Sequence, residues 1–163
     1  MKQTTPILIT IFILTSCGNS SQTKAIEQAK LIQAGIKPGT VATGSNDYTM
    51  TAKIDSKDWV ASSMMPPDAA GRIVGYYNDQ YIGLPYSKTD MVTGKKIMIG
   101  ENEAVDLSLN NGCLWKDAKG KMEITKVDDN AAEGKFFFTS ICSGTGKSVE
   151  VTDGFFRIQF SKN

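Results

Sequence analysis

The side chains that could perform chemistry are few, and their types exclude more mechanisms than they support. The 163-residue chain contains no histidine, which removes the commonest general base and the commonest metal ligand. Its three cysteines are Cys17, Cys113 and Cys142. A cysteine nucleophile would lack an imidazole to activate it, and soft-metal sites need clustered Cys or His. We therefore predict no catalytic residue, no metal site and no cofactor.

Carboxylates are the remaining candidates for acid–base chemistry. A pair of Asp or Glu side chains can hydrolyse a glycosidic bond when the two flank the substrate. Asp106, Glu123 and Glu133 lie on predicted strands, each on the polar face, where acidic side chains are usually only solvated. A carboxylate-dependent hydrolase is therefore the third and least favoured functional hypothesis.

The sequence around Cys17 predicts lipidation. Lys2 precedes the apolar run 7–14, which suits the hydrophobic region of a secretory signal peptide and is too short to span a bilayer. The run ends in Leu14-Thr15-Ser16-Cys17, which resembles a bacterial lipobox, where the cysteine is acylated and becomes the first mature residue. Acyl chains on Cys17 would hold a soluble domain on a membrane without a spanning helix.

The predicted organisation has three parts. Residues 1–16 form a lipoprotein signal peptide, residues 17–47 a lipidated tether with a short helix at about 24–35 and a linker, and residues 48–163 an antiparallel β domain. Cleavage would remove Lys2 from the 18 basic residues and leave 17 against 17 acidic ones. A neutral mature chain predicts no nucleic-acid partner and membrane attachment through the lipid alone.

The residues after the lipidated cysteine bear on location. Position 18 is Gly, whereas the inner-membrane retention signal known in some proteobacteria has Asp there. The stretch after Cys17 also lacks the acidic cluster that resembles a surface-export signal. We expect the protein in the cell envelope, anchored to the outer membrane and facing the periplasm.

Alternation of apolar and polar residues predicts a mainly β domain from residue 48 onward. In 48–54, Tyr48, Met50, Ala52 and Ile54 alternate with polar residues, the period of two typical of a half-buried strand. Turn signals at roughly every 8–12 residues predict an antiparallel sandwich or barrel-like domain, in addition to the short N-terminal helix. The predicted turns include Asn78-Asp79, Asn111-Gly112, Lys119-Gly120 and Asp153-Gly154.

Cys113 and Cys142 remain once Cys17 carries a lipid. An exported protein enters an oxidising compartment, so these two cysteines could form a disulfide. Such a bridge would stabilise the fold by about 3–4 kcal/mol in the chain-entropy model. Two separately buried thiols are the alternative, because the sequence does not show that their strands are neighbours.

A cluster of aromatic and methionine side chains suggests a contact patch across residues 64–86. Tyr and Arg are enriched at binding hot spots, and Met suits adaptable surfaces. The alternative is that the tyrosines are surface strand formers and the methionines fill the core. The candidate contacts for an envelope protein or a small apolar ligand are Met64, Met65, Arg72, Tyr76, Tyr77, Tyr81 and Tyr86.

Three segments of the β region, together with the lipobox, resemble small uncharacterised β-rich lipoproteins of the Bacteroidota. Residues 51–59 (TAKIDSKDW) are similar to the pattern T-A-x-I-D-G-x-x-W. Residues 122–136 are similar to a stretch ending in G-x-F-x-F, and 149–156 (VEVTDGFF) to V-x-V-T-D-G-x-F. Ser56 stands where the pattern has Gly, so a positive φ there would require an adjusted turn. The resemblance implies a β fold on a lipid anchor and assigns no catalytic residue.

These observations predict a membrane-anchored, non-catalytic interaction or binding module of unknown partner. The alternative is a lipocalin-like carrier, in which apolar side chains line a cavity for a small apolar ligand instead of filling a core.

Overall fold

The computed structural model describes residues 40–44, 48–100 and 103–160. The predicted signal peptide, Cys17 and the predicted helix at about 24–35 lie outside these residues. Within them the chain forms two antiparallel sheets that pack face to face. Of the two predicted architectures, the structure is the sandwich.

The smaller sheet has five strands. Strand Val41–Ala42 lies inside the stretch predicted as a linker, so the sheet begins before residue 48. A short helix, α1 (Pro67–Ala70), and a 3₁₀ helix (Lys88–Asp90) flank its central hairpin. In spatial order the strands are β1 (Val41–Ala42), β4 (Ser63–Met65), β5 (Arg72–Tyr77), β6 (Gln80–Pro85) and β8 (Asp106–Ser108).

The larger sheet has six strands, and three of them are long. Its long strands have 12 or 13 residues, whereas the sequence pattern predicted short strands throughout. In spatial order the strands are β3 (Lys57–Val60), β2 (Thr49–Ile54), β11 (Ser148–Gln159), β10 (Ala131–Cys142), β9 (Trp115–Val127) and β7 (Lys96–Ile99).

Of the four predicted turns named above, one is confirmed and three are wrong. Asn78-Asp79 joins β5 to β6, with Tyr77 opposite Gln80. Asn111-Gly112 instead lies in a connection between the sheets, because β8 pairs with β6 whereas β9 pairs with β7 and β10.

The other two wrong turns lie inside long strands, where glycine allows close backbone packing. A Cβ at Gly120 would lie 2.6 Å from the Cα of Phe138, and one at Gly154 would lie 2.6 Å from the Phe136 ring. The β10–β11 ladder shifts register between Phe136 and Phe138, and Asp153 opposite this point has φ 50°. Asp153-Gly154 is therefore part of a β-bulge, which bends the strand without ending it.

The space between the sheets is filled by apolar side chains. Strand β10 shows how the alternation works, since Phe136 and Phe138 point inward and are 3% and 0% exposed. Phe156 of β11 and Met50 of β2 are also fully buried in this cluster. Because the inner faces of the two sheets pack against each other, their outer faces point toward solvent.

Candidate binding surface

The structure does not bring the predicted contact patch together on one surface. Met64 is fully buried in the core, because the alternation of β4 points it between the sheets, where it lies opposite Gly75. Its neighbour Met65 points outward and is half-buried opposite Val74. The prediction of Met64 as a surface contact is therefore wrong.

The tyrosines of the β5–β6 hairpin divide between two directions. Tyr76 and Tyr81 lie opposite each other on the outer face of the smaller sheet, with ring centroids 6.0 Å apart. Burial, and then the neighbouring Tyr81, raises the pKa of Tyr76 above its ordinary value. Tyr77 follows Tyr76 on the strand, points the other way by alternation, and is 45% exposed.

Arg72 and Tyr86 are engaged in contacts within the fold. Arg72 Nε lies 3.0 Å from Asp106 Oδ2, and its Nη1 donates a hydrogen bond to a backbone carbonyl. The Tyr86 hydroxyl donates to Asp68 Oδ1 at 2.7 Å. Burial, and then Asp68, raises the pKa of the Tyr86 phenol well above its ordinary value. Arg72 thus connects β5 to β8 and to the segment just before it, and Tyr86 connects the end of β6 to α1.

The three carboxylates considered for hydrolysis do not form one site. Asp106 lies on the outer face of the smaller sheet, beside Arg72. Glu123 pairs with Lys121 at 3.3 Å, and Glu133 bonds Arg157, both on the larger sheet. Asp106 is therefore on the opposite side of the sandwich from the other two. No group of three or more potential metal-ligating side chains occurs among residues 40–44, 48–100 and 103–160.

The larger sheet presents an apolar and cationic surface that the sequence analysis missed. Seven large apolar side chains are exposed in the described part of the chain, and four of them lie on β7, on β10 or just before β9. We call this surface the hairpin face, because it spans the β9–β10 hairpin and the neighbouring strand β7. It includes the lysines between these side chains, which are Lys96, Lys119, Lys121 and Lys135. Its apolar members are Met98, Leu114, Phe137 and Ile141, which are 44%, 72%, 51% and 40% exposed.

The register of the strands places these side chains in rows. Phe137 lies opposite Lys121, and Lys121 lies opposite Met98, so the three form one row across β10, β9 and β7. Opposite residues of an antiparallel pair point to the same side of the sheet. Phe137 and Met98 therefore flank the aliphatic stem of one lysine.

Lysines are present in the rows on both sides of Phe137. The preceding row contains Lys135, Glu123 and Lys96 across the same three strands. The following row pairs Lys119 with Thr139. The hairpin face thus alternates along the strands between a charged row, an apolar row and a second charged row.

The sequence contains one signal for this surface, in the run Phe136-Phe137-Phe138. A strand with a period of two cannot bury three consecutive side chains on one face. Because Phe136 and Phe138 pack inward, Phe137 must point to solvent. The run alone does not show that Met98 and the lysines lie next to it, because β7 is distant in sequence from β10.

The electrostatics of the hairpin face are unbalanced. Lys121 Nζ lies 6.0 Å from the Phe137 ring centroid, at the limit of a cation–π contact, and it also pairs with Glu123. No ion pair among the described residues involves Lys96, Lys119 or Lys135. These lysines leave a positive field around the apolar row.

Two clefts lie on either side of Phe137. One has a volume of about 640 Å³ and is lined by Met98, Lys119, Lys121 and neighbouring backbone. The other has a volume of about 530 Å³ and is lined partly by Lys135, Asp153 and Phe155. Both volumes lie within the range of small-molecule or side-chain pockets.

A disulfide lies at the end of the hairpin face. Cys113 and Cys142 are joined, with their Cα atoms 5.5 Å apart, in accord with the pairing considered from sequence. Next to the bridge, Ser143 N donates to the Leu114 carbonyl at 2.9 Å. The exposed Leu114 side chain is thus attached to backbone that is held from two directions.

The fold and this surface define an antiparallel β-sandwich with an exposed apolar and cationic face on its larger sheet. The chain matches no family model, no curated protein and no solved structure. In the part of the chain that the structure describes, no helix is long and apolar enough to cross a membrane.

Proposed function

We propose that this protein is a lipid-anchored, non-catalytic binding module of the cell envelope, and that its partner docks on the hairpin face. The observation that carries the proposal is the concentration of exposed Met98, Phe137 and Ile141 on the outer face of the larger sheet, with exposed Leu114 directly before β9. Grouped exposed apolar side chains with a polar surround are typical of interaction sites. The signal peptide and lipobox at Cys17 support membrane attachment.

The filled core favours a binding module over a lipocalin-like carrier. A carrier needs its inward apolar side chains to line a space for the ligand. Here Phe138, Phe156 and Met50 are 0% exposed and belong to one packed cluster between the sheets.

Site-specific photo-crosslinking tests the docking surface. Phe137→benzoylphenylalanine in the full chain, irradiated in intact cells, should give a discrete covalent adduct. Tyr77→benzoylphenylalanine is the matched control, since Tyr77 is 45% exposed and lies on the other sheet. Equal adducts at both positions, or none at position 137, would contradict the proposal.

The anchor is tested separately at Cys17. Cys17→Ala should abolish incorporation of labelled palmitate and move the protein from the membrane fraction to the soluble fraction. If the variant stays as firmly bound to the membrane as the unaltered chain, lipid anchoring at Cys17 is wrong.

A further inference from the structure

We infer that the partner of the hairpin face is an acidic polypeptide segment that places an apolar side chain between two carboxylates. This inference rests on the proposed function and specifies the chemistry of the partner at that same site. It follows from the charge, the row spacing and the clefts of the face.

The charge of the face selects an anionic partner. Four lysines lie in the three rows across β10, β9 and β7, namely Lys96, Lys119, Lys121 and Lys135, and Glu123 is the acidic side chain in the same rows. On the neighbouring strand β11, Glu150 lies opposite Thr139, and Asp153 is paired with Lys53. Glu123 is already paired with Lys121. Each exposed ion pair contributes little by itself, but complementary charge over a whole surface raises the association rate and excludes partners of like charge.

The spacing of the rows matches an extended peptide. Lys135, Phe137 and Thr139 follow one another at every second position of β10, and two residues of a strand span about 6.7 Å. An extended partner running along β10 repeats its side chains with the same spacing. It can therefore place a carboxylate at the Lys135 row, an apolar side chain at the Phe137 row and a second carboxylate near Lys119.

The shape of the face favours a polypeptide over a membrane or a sugar. The clefts of about 640 and 530 Å³ beside Phe137 can accept separate side chains, whereas a flat lipid surface would leave them unfilled. Sugar recognition relies on planar polar side chains that hydrogen-bond hydroxyl groups. In the three rows the planar polar side chain is Glu123, and its carboxylate is paired with Lys121.

The test uses peptides of defined sequence and the mature chain, residues 17–163, with Cys17→Ser to keep it soluble without lipid. The probe is acetyl-Gly-Glu-Ser-Phe-Ser-Glu-Gly-amide, titrated into ¹⁵N-labelled protein and followed by NMR. We expect shifts confined to residues around 96–98, 119–121 and 135–139. Replacing both Glu of the peptide by Gln, or its Phe by Ala, should weaken binding at least about fivefold, as should raising the salt concentration.

Protein variants locate the binding determinants. Lys119→Glu and Phe137→Thr should each weaken binding of the peptide at least about fivefold. Lys57→Glu and Tyr77→Thr remove an exposed lysine and an exposed aromatic side chain elsewhere, and they should leave the affinity within about twofold. Unchanged thermal midpoints for Lys119→Glu and Phe137→Thr would show that lost binding does not reflect unfolding.

Three outcomes would overturn the inference. The first is that the Gln peptide binds the same residues with the same affinity as the Glu peptide. This result would reject an acidic partner and leave the docking surface in place. The second is the absence of shifts on the hairpin face with any peptide. The third is Lys119-dependent binding to phosphatidylglycerol vesicles without peptide binding, which would assign the face to a membrane. The proposed function itself stands or falls on crosslinking from position 137.

Discussion

Ser56 occupies a backbone conformation that glycine adopts more easily. The two residues of the β2–β3 turn, Asp55 and Ser56, have φ values of 46° and 66°, as a two-residue hairpin loop of type I′ requires. Asp55 is held in place by β11, since its N–H donates to the Glu150 carbonyl and its Oδ1 accepts from Glu150 N–H. Ser56 has no such compensation among the hydrogen bonds described for this turn.

We expect Ser56→Gly to stabilise the fold by about 1 kcal/mol, because glycine removes the Cβ clash of the left-handed conformation. Chemical denaturation measures the free energy of unfolding directly. Ser56→Ala is the matched control and should give no gain. A Gly variant that is no more stable than the Ala variant would contradict this account of the turn.

Burial of the Tyr86 phenol, together with its hydrogen bond to Asp68, makes the stability of the fold fall at alkaline pH. The raised pKa means that folding favours the neutral phenol. The stabilisation is therefore complete below the ordinary tyrosine pKa of 10.0 and declines as the pH rises above it. Tyr86→Phe should cost about 1 kcal/mol at neutral pH through the lost hydrogen bond.

Denaturation at pH 8 and pH 11 checks this expectation. The unaltered protein should lose more stability over that interval than Tyr86→Phe does. Tyr77→Phe, which removes an exposed hydroxyl, is the control for stability at neutral pH. If Tyr86→Phe loses as much stability between pH 8 and pH 11 as the unaltered protein, the Tyr86 phenol does not cause the loss.

At the scale of the elements, the long β9–β10–β11 ribbon depends on glycines that let neighbouring strands and rings approach closely. A Cβ at Gly134 would lie 2.5 Å from Phe156 Cε1 and 2.8 Å from the Glu123 carbonyl oxygen. The Phe156 ring thus packs directly over the backbone of β10. This packing positions the strand that carries Phe137 on its opposite side.

Gly134→Ala should destabilise the protein by about 2 kcal/mol, because the added methyl group overpacks the core. Gly144→Ala is the matched control, since no heavy atom lies within 4 Å of a Cβ at Gly144. Its free energy of unfolding should change by less than about 0.5 kcal/mol. Equal losses in the two variants would mean that a general effect of replacing glycine, not contact with Phe156, determines the loss.

At the scale of the whole molecule, the Cys113–Cys142 disulfide joins the inter-sheet connection to the end of β10. The bridge spans a sequence separation of 29 residues that includes all of β9 and its hairpin turn. It also borders the Leu114 end of the hairpin face. The disulfide therefore stabilises both the fold and the proposed docking surface.

Reduction of the disulfide should lower the free energy of unfolding by about 2–4 kcal/mol. Urea denaturation with and without reductant measures this difference. The mass of the unreduced chain should also be lower than that of the reduced chain by two hydrogen atoms. The double variant Cys113→Ala/Cys142→Ala should be insensitive to reductant. A loss of stability in that variant on adding reductant would exclude the bridge as the cause.

Local patterns in the sequence predicted where strands and one hairpin form. The alternation in 48–54 and the turn at Asn78-Asp79 correctly predicted strands and a hairpin, because side-chain direction in a strand depends only on its period of two. The mainly antiparallel β class followed from many such segments. Lipidation at Cys17 likewise follows from a contiguous motif and remains a prediction.

The pairing of strands and the exposure of their faces, in contrast, depend on long-range packing. Lys119-Gly120 and Asp153-Gly154 have the composition of turns, yet they lie within strands because long-range packing on Phe138 and Phe136 outweighs local preference. The same long-range pairing buried Met64 in the core and set Met98 of β7 in line with Phe137 of β10. A binding surface built from strands that are distant in sequence depends on register, which non-local hydrogen bonds and core packing determine together.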